Sequence, residues 1–143
     1  MPSINEAGLQ LIESFEGCEL RAYQDTGGVW TIGFGHTAGV CDGDTITQTQ
    51  ADEYLEADIQ SVCDDVQKLV QVVLSPNQFA ALVSFDYNTG ALSSSPGLTL
   101  VNENKGDEAW ENHFCLYIHD AAGNALEGLV RRRAAEYALW KTP

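Results

Sequence analysis

Positive charge is what this sequence has least of. Across 143 residues there are 7 Lys and Arg against 21 Asp and Glu, a formal net charge of −14. A nucleic-acid binder works by neutralising phosphates, and so few cations cannot build a wide basic face. The one cationic cluster, Arg131-Arg132-Arg133, is too short to reverse that. Long apolar runs are missing too. The best stretches, Val70–Leu74 and Ala80–Phe85, fall far below the roughly 18–20 residues of a membrane span, so no stable membrane insertion is expected. The N-terminus, MPSINEAGLQ, has neither a basic n-region nor an apolar h-region, and no signal peptide is read there. Low-complexity segments and internal repeats are absent. The four cysteines (Cys18, Cys41, Cys63 and Cys115) show no CxxC spacing, which argues against a zinc motif or a disulfide-dense scaffold. Free thiols and one or two disulfides both remain open on spacing alone.

What is present is an ordinary single-domain composition, 44% apolar and 20% charged. A chain of this length buries about two-thirds of its unfolded surface without staples. Leu9, Leu11, Ile12 and Phe15 give the apolar side of a helix over roughly Ile4–Phe15, ended by Gly17. From Cys18 to Thr45 the helical period is lost. Thr26-Gly27-Gly28 is turn chemistry, and Trp30, Ile32 and Phe34 alternate, so a hairpin is expected over about Leu20–Phe34.

The helical period returns at Thr47. Thr47 and Gln50 fit a capping box, followed by Ala51, Leu55, Ile59, Val62, Val66 and Leu69 along one long helix. Ser75-Pro76-Asn77-Gln78 opens another, ending near Asn88-Thr89-Gly90. Shorter helices are expected over about Leu98–Asn104 and from an Asp107 cap through Trp110, Phe114, Tyr117 and Ile118 to Gly123. A last helix spans about Leu129–Trp140. The fold class is α+β in one domain, residues 1–143. A small β-containing lobe (roughly 15–60) and a helical lobe (1–14 and 61–143) are joined by the long helix.

Acidic residues are so common that acidity selects nothing by itself. Glu16, at a helix end, and Asp25, entering a hairpin turn, stand out because both border aromatic residues (Phe15, Tyr23, Trp30, Phe34) able to wall a sugar-binding cleft. Two carboxylates across such a cleft suit glycoside hydrolysis: one donates a proton to the leaving oxygen, the other activates water or stabilises positive charge. Thr31 would add a hydroxyl able to hold that water. The competing reading is that Glu16 and Asp25 merely cap and solvate a turn.

The run Phe15-Glu16-Gly17, Ala22-Tyr23-Gln24-Asp25 and Trp30-Thr31-Ile32-Gly33-Phe34-Gly35-His36-Thr37 resembles the phage-type lysozymes, the endolysins of glycoside hydrolase family 24. Their signature of Glu, eight residues, Asp, five residues and Thr, leading into T-I-G-x-G-H, is kept in both intervals. Three further blocks extend the resemblance over nearly the whole chain: Thr47-x-x-Gln50-Ala51, then Gln78-x-x-Ala81-Leu82-x-Ser84-Phe85 with Asn88-x-Gly90, then Gly128-Leu129-x-x-Arg132-Arg133-x-x-Glu136. The resemblance implies a lysozyme-like fold and a muramidase cleaving the β-1,4 bond between N-acetylmuramic acid and N-acetylglucosamine, with inversion. Glu16 would be the general acid, Asp25 the group assisting water and Thr31 its positioner. Tyr23, Trp30, Phe34 and Asn88 would contact substrate. His36 would support the site by bonding the sheet backbone rather than act as a second catalyst. Arg132 and Arg133 would support it too, one behind Glu16 or both paired with Glu136 and solvent. No cofactor or metal is expected. Asp42-Gly43-Asp44 with Glu53 lacks the glycine and oxygen ligand of a calcium loop, and His36, Cys41 and Cys63 lack zinc spacing.

A monomer acting on peptidoglycan follows, made in the host cytoplasm, released with a holin, and acting in the periplasm or cell wall. The rival is a non-catalytic peptidoglycan-binding or structural protein of the same fold. Departures from the family pattern are Tyr117 where Trp is frequent, Ala122-Gly123 where two glycines are, Asp86 before the Asn-x-Gly, and the acidic charge itself.

Overall fold

The structure, a computed structural model, describes residues 3–143. Helix α1 (Glu6–Glu16) begins after Asn5, whose side chain accepts from the Gly8 amide, two residues past the Ile4 start that the apolar pattern suggests. It ends at Gly17, whose φ of 65° lies in the left-handed region that a side chain would disfavour. That glycine turns the chain directly into the hairpin β1 (Glu19–Gln24) and β2 (Trp30–Gly33). The strands are antiparallel with Tyr23 opposite Thr31 and Gln24 opposite Trp30, and an irregularity falls between Glu19 and Tyr23. The segment after β2 returns along β1, with Ala22 and Ile46 amides donating to Asp44 and Leu20 carbonyls.

Helix α2 (Gln48–Leu69) starts from the expected capping box of Thr47 and Gln50. Its 22 residues extend about 33 Å, and it packs against both β2 and α3 (Pro76–Thr89). Helix α3 has the second expected box, Ser75 with Gln78, and stops at the left-handed Gly90. Six consecutive residues, Ala80–Phe85, are buried, so α3 is hydrophobic all round and runs through the centre of the helical body. Helices α1, α2 and α6 (Glu127–Lys141) pack directly on it, while α4 (Pro96–Asn102) and α5 (Gly106–Asn112) pair with each other beside them. Phe85 is the hub: the rings of Trp110, Phe114 and Tyr117 lie 6.0, 4.7 and 5.2 Å from it. Such pairs contribute about 0.5–1.5 kcal/mol each beyond their buried area.

One helix differs from expectation. α5 stops at Asn112, and Asp107 lies in its first turn instead of capping it, accepting a bond from Trp140 Nε1. Phe114–Leu116 is a separate 3-10 turn. Beyond it, Asp120 Oδ1 accepts from the Ala122 and Asn124 amides, and His119 bridges Ala125. That turn chemistry closes a small loop through Gly123 and draws the backbone out of the helix. All four cysteines are free thiols; Cys63 is buried in the core and Cys41 is exposed. Among the described residues no helix is long and apolar enough to cross a membrane.

Candidate active site

A cleft of about 480 Å³ lies between the hairpin, α2 and the C-terminal end of α3. Glu16, Tyr23, Asp25 and Thr31 line one part of it, Asp58, Ser61, Tyr87 and Asn88 another, and the segment 35–38 its rim. The cross-strand pair Tyr23 and Thr31 puts both side chains on the cleft face of the sheet. Alternation therefore aims Trp30 elsewhere, and neither Trp30 nor Phe34 is among the lining residues. Phe34 packs on the core through its ring and accepts a bond from Tyr87 at its carbonyl.

Asp25 is held by its own turn. Its Oδ1 accepts from the Gly27 and Val29 amides, both at 2.9 Å, leaving Oδ2 free. Thr31 is 4% exposed, and its hydroxyl donates to the Val29 carbonyl at 2.9 Å. The oxygen's lone pairs are thus left to accept from a bound water.

Glu16 is held from below by a buried ionic cluster. Arg132 Nη1 donates to Glu16 Oε1 at 2.5 Å, while Arg132 Nε reaches Glu136 Oε2 at 3.2 Å. Glu136 is fully buried and also receives Ser84 Oγ at 2.5 Å and Arg133 Nη2 at 3.1 Å. Arg133 Nε stands 2.7 Å from Glu136 Oε1, as an ion pair outside hydrogen-bond alignment. Arg133 further donates to Asn88 Oδ1 and the Tyr117 carbonyl, tying α6 to α3 and to the 3-10 turn. Burial pushes the Glu136 carboxyl upward; both guanidiniums and the Ser84 hydroxyl pull it back down without cancelling the effect. Burial likewise lowers Arg133. Of the two alternatives for the arginines, Arg132 pairs with Glu16 and both pair with Glu136.

His36 serves its turn twice. Its backbone exchanges two 2.9 Å bonds with Ile32, and its Nδ1 lies 2.8 Å from Asp58 Oδ2 while its ring stacks on Tyr54. Asp58 and Tyr87 are site residues that sequence reasoning did not single out. Asp58 sits on the polar side of α2, where many carboxylates look alike. Tyr87 stands beside Asn88 at a position that no motif of the sequence marks.

The model of the family described as Phage lysozyme matches residues 13–136, which span every element of the cleft. The chain belongs to the phage lysozyme family. Lysozyme-type glycoside hydrolysis is the activity class of that membership. The endolysin of Acyrthosiphon pisum secondary endosymbiont phage 1 is 37% identical, covering 97% of this chain and 98% of its own length. The endolysin of Salmonella phage P22 is also 37% identical, with 98% and 99% covered. The endolysin of Bacillus phage PZA is 41% identical over 97% of this chain, which spans 55% of that longer protein. Among solved structures, the muramidase domain of SpmX from Asticaccaulis excentricus matches with a TM-score of 0.88, 37% identity and full coverage of both chains. A P22 lysozyme mutant matches at 0.81 and 34% identity, with 99% of this chain and 100% of that one covered. These neighbours make the fold a lysozyme-like α+β fold.

Proposed function

We propose that this chain is an endolysin-type muramidase that hydrolyses the β-1,4 bond between N-acetylmuramic acid and N-acetylglucosamine in peptidoglycan. The observation carrying this reading is that Glu16, Asp25 and Thr31 share one cleft, each with one side-chain oxygen pinned and binding capacity left over. Glu16 Oε1 is committed to Arg132, so Oε2 is the atom to carry the proton to the leaving oxygen. Asp25 Oδ2 and the lone pairs of Thr31 hold and activate the attacking water on the other side of the sugar. Inversion follows if that water fits between the carboxyls, which requires roughly 6.5–9.5 Å between them. Tyr23 and Asn88 contact the sugars from the cleft walls. His36, Arg132 and Arg133 support the site.

We read the chain as one domain with a β-containing lobe over about 15–60 and a helical lobe over 1–14 and 61–143. It acts as a monomer on the cell wall after holin-assisted release from the host cytoplasm.

The test is digestion of purified peptidoglycan with mass analysis of the fragments. Reducing-end muramic acid is expected; anhydro-muramic acid would mean a lytic transglycosylase, and binding without cleavage would favour the non-catalytic rival. Fresh products should carry the inverted anomer by NMR. Glu16→Gln keeps an oxygen for Arg132 but removes the proton donor, so the rate should fall at least about 10²-fold with the fold intact. Clearing at more than about a tenth of the parent rate would remove Glu16 from the acid's role.

A further inference from the structure

Glu16 Oε2, the oxygen left free by Arg132, is flanked by the turn that follows β2. A Cβ placed on Gly35 would stand 3.3 Å from Glu16 Oε2 and 3.9 Å from the Tyr87 hydroxyl oxygen, so both oxygens crowd the side of Gly35 that carries no side chain. Gly33 and Gly35 both have positive φ, 65° and 95°. The Phe34–Gly35 peptide between them therefore has weak intrinsic restraint. The Ile32 and His36 backbone bonds close the base of the turn but leave its tip. The tip is held from the helical body: Tyr87 donates its hydroxyl proton to the Phe34 carbonyl at 2.9 Å. Tyr87 itself stands on a fixed frame, since its neighbours on α3, Ser84 and Asn88, are bonded to Glu136 and Arg133.

We propose that Tyr87 is a positioning residue for Glu16, fixing the Phe34–Gly35 peptide so that the turn packs against Oε2 and holds it facing the scissile bond. This inference rests on the muramidase reading. Because the hydroxyl lies on a different residue from the carboxylate, its removal leaves the acid and its Arg132 contact chemically unchanged. Burial above all, with Glu16 and Asp58 adding to it and Arg132 opposing, pushes the Tyr87 hydroxyl upward, so it keeps its proton to donate at neutral pH.

The experiment compares the parent, Tyr87→Phe and a control, Tyr137→Phe, which removes the hydroxyl bonded to Glu111 away from the cleft. Each is assayed on soluble glycan strands prepared from peptidoglycan. A small misplacement of a reacting group is felt mainly in the chemical step. For Tyr87→Phe, kcat should fall about tenfold with KM within about twofold, the thermal midpoint nearly unchanged, and the Gly35 amide resonance displaced. Tyr137→Phe should match the parent in kcat and in the Gly35 resonance. An unchanged kcat in a folded Tyr87→Phe protein overturns the proposal, as does a rise in KM with kcat retained. If Tyr87→Phe does not fold, Gly35→Ala displaces the same turn from Glu16 Oε2 by adding a methyl 3.3 Å from it; an unaltered kcat there overturns the proposal equally. A parent that releases no reducing ends would instead defeat the muramidase reading, a result distinct from either of these.

Discussion

The two walls of the cleft are built on different principles. The hairpin wall is local, and its carboxylate is wet: Asp25 is exposed and fixed by amides two and four residues away, while the buried Thr31 is fixed by a carbonyl two residues away. The helical wall is non-local and dry. Glu16 is fixed by Arg132, 116 residues along the chain, and that guanidinium rests on a carboxylate with no exposure at all. A group that must keep an ionised carboxylate near water gains from the first arrangement. A group that must present one oxygen in one direction gains from the second, because a guanidinium anchored through Nε on Glu136 has its Nη1 aimed at a single Glu16 oxygen. The buried cluster is no simple stability device, since desolvating its charges offsets much of their attraction.

Disrupting the helical wall should therefore have the largest effect on the fold. Glu136→Ala leaves Arg132 and Arg133, 3% and 1% exposed, without their shared carboxylate. Breaking a buried ionic network this way costs about 3–5 kcal/mol, to be measured by urea unfolding. A loss below about 1 kcal/mol would mean that water reaches the cluster and that the walls differ less than their burial suggests.

On the hairpin wall the converse is expected. Asp25→Asn keeps an oxygen for the Gly27 and Val29 amides, so stability should change by less than about 0.5 kcal/mol. Loss of the free carboxylate oxygen should lower the rate at saturating substrate by about 10–100-fold with wall binding little altered. Unchanged turnover with lost binding would move Asp25 from chemistry to recognition.

The same division explains what could be read without coordinates. The capping boxes at Thr47 and Ser75, the stop at Gly17 and the hairpin are short-range features, and they formed as the residue types dictate. Within the cluster under Glu16 the arginines meet Glu136 at helical i,i+3 and i,i+4 spacing, but the bonds to Ser84 and Glu16 reach 48 and 116 residues away, and no local pattern announces those. Only the resemblance to a family pointed there. The aromatic walls were half legible: Tyr23 lines the cleft, whereas strand alternation carries Trp30 away from it once Thr31 is known to face inward. The end of α5 at Asn112 is not legible locally, because the apolar spacing of Trp110, Phe114 and Tyr117 suits a continuous helix where the chain instead forms a 3-10 turn and then the Asp120 turn.

A smaller effect tests the helical body at its margin. Asp86 is half-buried on α3, and burial raises its carboxyl despite the bond it accepts from the Leu92 amide. A carboxyl raised on folding favours the folded state while protonated, and that contribution is lost as pH rises through its folded value. Asp86→Asn keeps the acceptor for Leu92 and removes the buried charge. It should raise the thermal midpoint by about 1–3 °C at pH 7, with the advantage fading as pH falls toward the ordinary Asp value of about 3.9. An advantage that persists unchanged at pH 3 would place its origin in packing instead.

The smallest expected effect concerns charge outside both walls. The cleft lining holds Glu16, Asp25 and Asp58 and no lysine or arginine, and the whole chain stands at −14. Approach to an anionic wall then meets repulsion, which salt screens beyond about 10 Å at 0.1 M. Clearing of wall suspensions should rise about two- to threefold from low salt to roughly 0.15 M, opposite to a basic enzyme whose attraction salt weakens. The competing account is local. Arg131 lies on the far side of Glu16 in a second groove with Leu126 and Leu129, and its field at the cleft mouth could outweigh the distant carboxylates. Arg131→Gln separates the two, because its guanidinium is exposed and paired loosely with Glu127 at 3.4 Å, so the fold should be indifferent to it. Under the global account the variant keeps the rising salt profile at a somewhat lower rate. A parent rate that falls steadily with salt, and a variant in which that fall disappears, would assign the encounter to Arg131 alone.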